Sequence, residues 1–154
     1  MILGVDPGAN GALAWLSPTG ELLAVEDMPA AAVLIGGKPR MRVSAPMLAA
    51  LIQETMPTCA FVEKVGAMPG QGTASMFSFG FSAGLIDGVL AGLGIPTTYV
   101  TPQSWKKAAG LTSDKSAVRL RAAQLFPDMA RHFARVKDDG RAEAALIARF
   151  GVTR

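Results

Sequence analysis

Three short apolar runs, residues 2–5, 11–16 and 21–28, are separated by two dense turn signals: Asp6-Pro7-Gly8-Ala9-Asn10-Gly11 and Ser17-Pro18-Thr19-Gly20. Each run is too short for a stable helix, and each connection is too short for a parallel crossover. Adjacent strands joined by tight turns form an antiparallel meander, and this dictates how the rest of the chain can be placed. After it the pattern changes. Ser44 precedes Pro46, and Met47, Leu48, Leu51, Ile52 and Thr55 follow at helical spacing. Residues 59–65 read as a fourth strand, residues 73–93 as a long helix and residues 95–100 as a fifth strand. Helices follow at 102–109, 113–126 and 138–150, and residues 36–42 read as a flexible basic loop. A meander followed by strand–helix alternation implies an α/β fold. The expected sheet is five-stranded and mixed, three antiparallel strands then two parallel ones, flanked by helices.

The 154 residues support one compact domain spanning 1–154, with no internal repeat or linker. A hydrophobic share of 50% against 18% charged residues excludes a disordered chain. The single cysteine, Cys59, excludes an intramolecular disulfide scaffold and a cysteine-based zinc cage, and fits a reducing compartment. Residues 76–95 are the most apolar stretch, but they hold Asp87 and five glycines, which argues against a membrane span. With no basic n-region before the first apolar run, a cytoplasmic location is expected. The net charge of +3 is unevenly spread. Residues 1–100 hold seven acids against four Lys/Arg, a net of −3, whereas residues 101–154 hold five against eleven, a net of +6. Basic charge gathered in one third of a small domain suits a polyanionic partner, although basic residues also serve simply to solvate helices.

Four carboxylates stand out. Asp6 closes the first strand against Pro7-Gly8, where an aspartate is also an ordinary turn former. Glu63 lies in the otherwise apolar run 59–65, beside Lys64, and a central strand seldom carries a carboxylate without a purpose. Lys137-Asp138-Asp139-Gly140-Arg141-Ala142-Glu143 opens the last helix, where acids also suit the helix dipole. Asp139 and Glu143 are four apart and share a face, while Asp138 and Glu143 are five apart and diverge. If the strands are neighbours and the helix packs over them, Asp6, Glu63, Asp139 and Glu143 converge. Such a cluster needs a cation, and oxygen ligands without histidine or thiolate suit Mg²⁺ or Mn²⁺. Two such ions can hold a phosphodiester, one activating water and the other stabilising the leaving oxygen. An acidic metal cluster with a basic surface points to a phosphodiester-cutting nuclease.

At these residues the chain resembles a known family. Ile2-Leu3-Gly4-Val5-Asp6-Pro7-Gly8-Ala9-Asn10-Gly11-Ala12-Leu13-Ala14 looks like the opening of the RuvC-type Holliday junction resolvases, which have the RNase H-like fold. Phe61-Val62-Glu63-Lys64-Val65 resembles their second acidic strand, and the segment from Asp139 to Ala148 resembles their acidic C-terminal helix. Tyr99-Val100-Thr101-Pro102-Gln103-Ser104-Trp105-Lys106-Lys107 is similar to the family's fifth strand, proline and DNA-facing lysine. The blocks occur in order over nearly the whole chain. The resemblance implies a homodimer that cuts four-way DNA junctions symmetrically, with two divalent ions per subunit held by Asp6, Glu63, Asp139 and Glu143. Cellular members carry two aspartates three apart in the final helix. Here the position three before Glu143 is Gly140, and the last acid is Glu. Such variants resemble the phage and prophage branch, some of which accept other branched DNA. Asp138 stays open as the alternate to Asp139.

Lys106, Lys107 and Lys115 are the foremost expected phosphate contacts, joined by Arg40 and Arg42 in the basic loop and by Gln71, or Met68, in the glycine-rich segment after Glu63. That segment lacks the Walker lysine. Phe77, Phe81 and Leu85 form one stripe on the long helix, expected in the core or a dimer interface, and Gly80, Gly84 and Gly88 form another that allows close helix approach. Three rival readings remain. An actin- or sugar-kinase-type ATPase would share the Asp-Pro-Gly turn but normally needs a duplicated domain. A flap or replication-fork nuclease would use the same chemistry. A catalytically inactive branched-DNA-binding module would bind without cutting.

Overall fold

The computed structural model describes residues 1–66, 70, 72–111 and 115–153. Strands β1 (Ile2–Asp6), β2 (Ala12–Leu16) and β3 (Leu22–Asp27) form the meander, with Ile2 opposite Leu16 and Ala12 opposite Asp27. The first turn is closed by Gly11 N–H donating to the Gly8 carbonyl at 3.1 Å, and Gly8 takes φ +131°, a conformation open to glycine. Later strands join on the other side of β1. With α1 (Ala45–Thr55) and α2 (Thr73–Gly92) as crossovers, β6 (Cys59–Glu63) pairs parallel to β1, and β7 (Thr97–Val100) pairs parallel to β6. The sheet order is β3-β2-β1-β6-β7. This is the five-stranded mixed sheet expected from the sequence.

Residues 36–42 are not a flexible loop. They belong to a separate two-stranded ribbon, β4 (Ala30–Ile35) and β5 (Lys38–Val43), turned by Gly36 and Gly37 at φ +58° and +75°. Two consecutive positive-φ residues make a hairpin turn whose twist matches its strands, and Gly-Gly permits it without strain. After β7 come α3 (Pro102–Ala108), α4 (Lys115–Leu125) and α5 (Asp139–Val152). Between α4 and α5 the chain makes 3₁₀ turns over Pro127–Phe133 and Val136–Asp138, a stretch whose sequence carries no regular apolar period.

Alternation along the strands splits the core in two. Leu3, Val5, Leu13, Trp15, Ala60 and Val62 face α1 and α2, packing with Leu48, Ile52, Ile86 and Leu90. The opposite face, with Ala12, Ala14 and Leu16, lies under α5, and Trp105 of α3 and Val118 and Ala122 of α4 share that second core. Helix α5 sits unusually close to β1. A Cβ added at Gly4 would meet the Ala144 carbonyl oxygen at 2.2 Å and the Ala148 nitrogen at 2.5 Å. Alanines at 144, 145 and 148 and a glycine in the strand are what allow this approach.

Helix α2 is long and apolar enough to cross a membrane by length and composition. Its Ser82, Ile86 and Leu90 are nonetheless buried against the rest of the fold. Phe77 is 70% exposed and Phe81 is also exposed, so neither sits in the core of the single chain. At Gly80, Gly84 and Gly88 an added Cβ would meet open space.

Candidate metal centre

Asp6 ends β1 and Glu63 ends β6. The parallel register sets Val5 beside Val62, so the next residues along, Asp6 and Glu63, come side by side at the carboxyl edge of the sheet. Because Val5 and Val62 point to the α1–α2 core, alternation turns Asp6 and Glu63 toward α5. Glu143 lies one turn into that helix. The three half-buried carboxylates each offer an oxygen, and these oxygens all lie within 4.8 Å of one another. Three anions so close repel in a partly desolvated site, and the donor set is all oxygen, the chemistry of a hard divalent ion such as Mg²⁺ or Mn²⁺. The residues present therefore fit such an ion.

Gly140 completes the floor of the site. An added Cβ there would stand 2.9 Å from Asp6 Oδ2, 2.9 Å from the Asn10 carbonyl oxygen and 3.1 Å from Gly11 Cα. The missing carboxylate three residues before Glu143 thus has a steric reason: the space belongs to Asp6 and the first turn.

The other acids of α5 are engaged elsewhere. Asp139 Oδ1 lies 2.8 Å from Arg119 Nε of α4, outside the three-carboxylate group. Asp138, 1% exposed, accepts from Arg135 Nη2 at 2.8 Å, from Arg135 Nε at 3.1 Å and from the Arg135 backbone N–H at 2.9 Å. The hydrogen bonds from the Arg135 side chain hold its carboxyl below the usual aspartate range, against the opposing pull of burial. Asp138 thereby caps the 3₁₀ turn Val136–Asp138 through the Arg135 N–H, directly before α5. It is a capping group in this structure.

One residue of the site carried no signal as such in the sequence. The Trp105 indole N–H donates to Glu63 Oε1 at 2.8 Å, and Trp105 is 0% exposed. A buried indole needs an acceptor, but its identity depends on a partner 42 residues away. Lys106, the next residue, holds its Nζ 5.1 Å from the Trp105 ring centroid, and Lys107 is exposed in the same last turn of α3. Lys115 opens α4, but its side chain, like Gln71 and Met68, lies outside the described residues. Arg40 is exposed on β5, whereas Arg42 stacks its guanidinium 4.3 Å from the Phe81 ring centroid, tying the ribbon to α2. Behind Glu63 a pocket of about 300 Å³ runs past Pro7, Lys64 and Gly84 to Asp87 and Tyr99. The Tyr99 hydroxyl donates to Asp87 there.

No protein-family model and no curated protein matches the chain. Solved structures do. The T. thermophilus RuvC in complex with Holliday junction substrate aligns with TM-score 0.69 at 15% identity, covering 97% of this chain and 90% of that one. A further Thermus thermophilus RuvC structure aligns with TM-score 0.64 at 14% identity, covering 97% and 93%. The yeast mitochondrial Holliday junction resolvase Ydc2 aligns with TM-score 0.51 at 16% identity, covering 98% of this chain and 78% of that one. The β3-β2-β1-β6-β7 sheet with its flanking helices is the RNase H-like fold of the RuvC-type Holliday junction resolvases.

Proposed function

We propose that the chain is a divalent-metal-dependent, structure-selective endodeoxyribonuclease that resolves four-way DNA junctions by paired phosphodiester hydrolysis, acting as a homodimer. The observation that carries this reading is the convergence of Asp6, Glu63 and Glu143 at the carboxyl edge of a sheet whose neighbours are RuvC structures. These three carboxylates would hold the metal, Mg²⁺ with Mn²⁺ as substitute and two ions per subunit. Asp139, one turn before Glu143, would be the fourth ligand once its ion pair with Arg119 opens.

Bound there, the ions would supply positive charge to the phosphodiester and lower the pKa of the attacking water. The residues of the chain do the rest. Asp6 and Glu63 present their carboxylates from adjacent strand ends, and Glu143 brings the third from the helix above. Lys106 and Lys107 follow Trp105 directly in α3, so they present cations next to an acidic site that would otherwise repel a phosphate backbone. Such contacts set position and salt dependence without reading sequence. Arg40 on the ribbon, Lys115 and Gln71 are further proposed contacts to the DNA arms.

The test is cleavage of a labelled synthetic four-way junction, with matched duplex and flap controls, in Mg²⁺ and in Mn²⁺. Symmetric nicks on the junction are expected. In Asp6→Asn the rate should fall on the order of 1,000-fold, the equivalent of several kcal/mol of charge stabilisation. Preferential cutting of flaps would keep the chemistry and overturn the substrate, and binding without cleavage by the native chain would leave a branched-DNA-binding module.

A further inference from the structure

The geometry points to Trp105 as a positioning residue that holds the Glu63 carboxylate in place for a divalent cation. This rests on the reading of Asp6, Glu63 and Glu143 as a metal site, and adds to it a neutral side chain that touches no reacting atom.

The contact is well defined. Indole Nε1 is a donor and cannot accept, so the 2.8 Å approach to Glu63 Oε1 has one polarity. A hydrogen bond to an ionised carboxylate is among the stronger kinds, and a carboxylate has lone pairs to spare for ligation after accepting it. The donor itself cannot drift. Trp105 is fully buried in the core beneath α5, and α3 is started by Pro102 and by the Thr101 hydroxyl, which accepts from the Ser104 N–H at 3.3 Å. Glu63 has no such anchorage of its own, since a glutamate at a strand end keeps free torsions that β6 does not restrict. The indole therefore supplies what the strand cannot, a fixed rotamer for the carboxylate. Groups that orient metal ligands in this way carry about 10–100-fold of metal affinity.

The chain provides its own control. It has two tryptophans, and Trp15 is equally buried with an equivalent bond, Nε1 donating to Thr55 Oγ1 at 3.0 Å, on the α1–α2 side of the sheet. Trp105→Phe and Trp15→Phe each delete one indole N–H from a core, but only the first touches Glu63. Calorimetric titration of the full chain with Mn²⁺, without DNA, should show Trp15→Phe within about twofold of the native chain and Trp105→Phe weaker by about 10–100-fold. Thermal midpoints should fall for both, so a purely structural role for Trp105 would lower its midpoint and leave Mn²⁺ affinity at the Trp15→Phe level, which would overturn the inference. If Trp105→Phe does not fold, the Trp15→Phe chain decides. Its only tryptophan is then Trp105, whose emission, excited to the red of tyrosine absorption, should be quenched by Mn²⁺ along the calorimetric isotherm, and emission blind to bound Mn²⁺ would overturn the inference. Failure of the underlying reading looks different: the native chain itself would bind no Mn²⁺, or Asp6→Asn would bind it as tightly.

Discussion

Carboxylate oxygens gathered within 4.8 Å, each on a different element, are an arrangement that folding alone does not favour. Glu63 at this edge is held by the Trp105 indole, and a second hydrogen bond lies next to the site. The Tyr99 hydroxyl donates to Asp87, and ionising the phenol would break that bond and set two anions together. Its pKa is accordingly pushed up to about 12 from the ordinary 10.0, the hydrogen bond being the largest cause and burial the second. A raised pKa means that the contribution of this bond to stability is intact below pH 10 and is lost as pH climbs through about 12. The chain has one tyrosine, so tyrosinate absorbance reports this group alone. Its midpoint should lie near 12 and return toward 10.0 in Asp87→Asn; an unchanged midpoint in the variant would remove Asp87 as the cause. Asp6 and Glu63 could be read from the sequence because a carboxylate at the end of an apolar run is conspicuous there, and Glu143 because helical spacing is regular. Trp105, Arg119 and the true partner of Asp138 could not, since each depends on which distant segment the fold brings alongside.

At the scale of elements, the site depends on how closely α5 approaches β1. Gly4 lies directly beneath Ala144 and Ala148, and Gly151 meets the Phe61 ring, where a Cβ would come within 2.4 Å of the ring carbons. Backbone, not a flexible side-chain end, opposes any atom added at Gly4. Gly4→Ala should therefore push the helix off the strand and cost about 1–3 kcal/mol or more, read from the denaturation midpoint. It should also weaken cleavage, because Glu143 rides on the displaced helix; a fully active, fully stable Gly4→Ala chain would mean that the close contact is dispensable. Five strands, two crossovers and the last helix were legible from apolar period and turn residues. The β4–β5 ribbon was not, because the basic run Lys38-Pro39-Arg40-Met41-Arg42 looks like a loop and its strands lack a buried face. Leu34 and Met41 are exposed on that ribbon, so no hydrophobic alternation marked it.

For the whole molecule, the layering leaves one helix half used. Helix α5 is buried along most of its length, whereas α2 buries only Ser82, Ile86 and Leu90 and shows Phe77 and Phe81 to solvent. Gly80, Gly84 and Gly88 meet open space, so another backbone could come close along α2. Arg42 already lies over Phe81, which draws the ribbon into the same surface. Paired cleavage of a junction requires two active sites fixed relative to each other, and the proposed homodimer would supply them by joining two copies through their α2 faces. A two-fold interface buries the same patch on both partners, so one substitution introduces charge twice. Phe77→Glu should thus convert a dimer to a monomer in sedimentation equilibrium without unfolding it, since the side chain is 70% exposed in the single chain. On a junction substrate the variant should still nick when the metal site is intact, but the two nicks should become independent events separated in time, not a pair. A Phe77→Glu chain that remains dimeric would place the interface on another surface, and a native chain that is monomeric at cleavage concentrations would leave paired resolution without its structural basis.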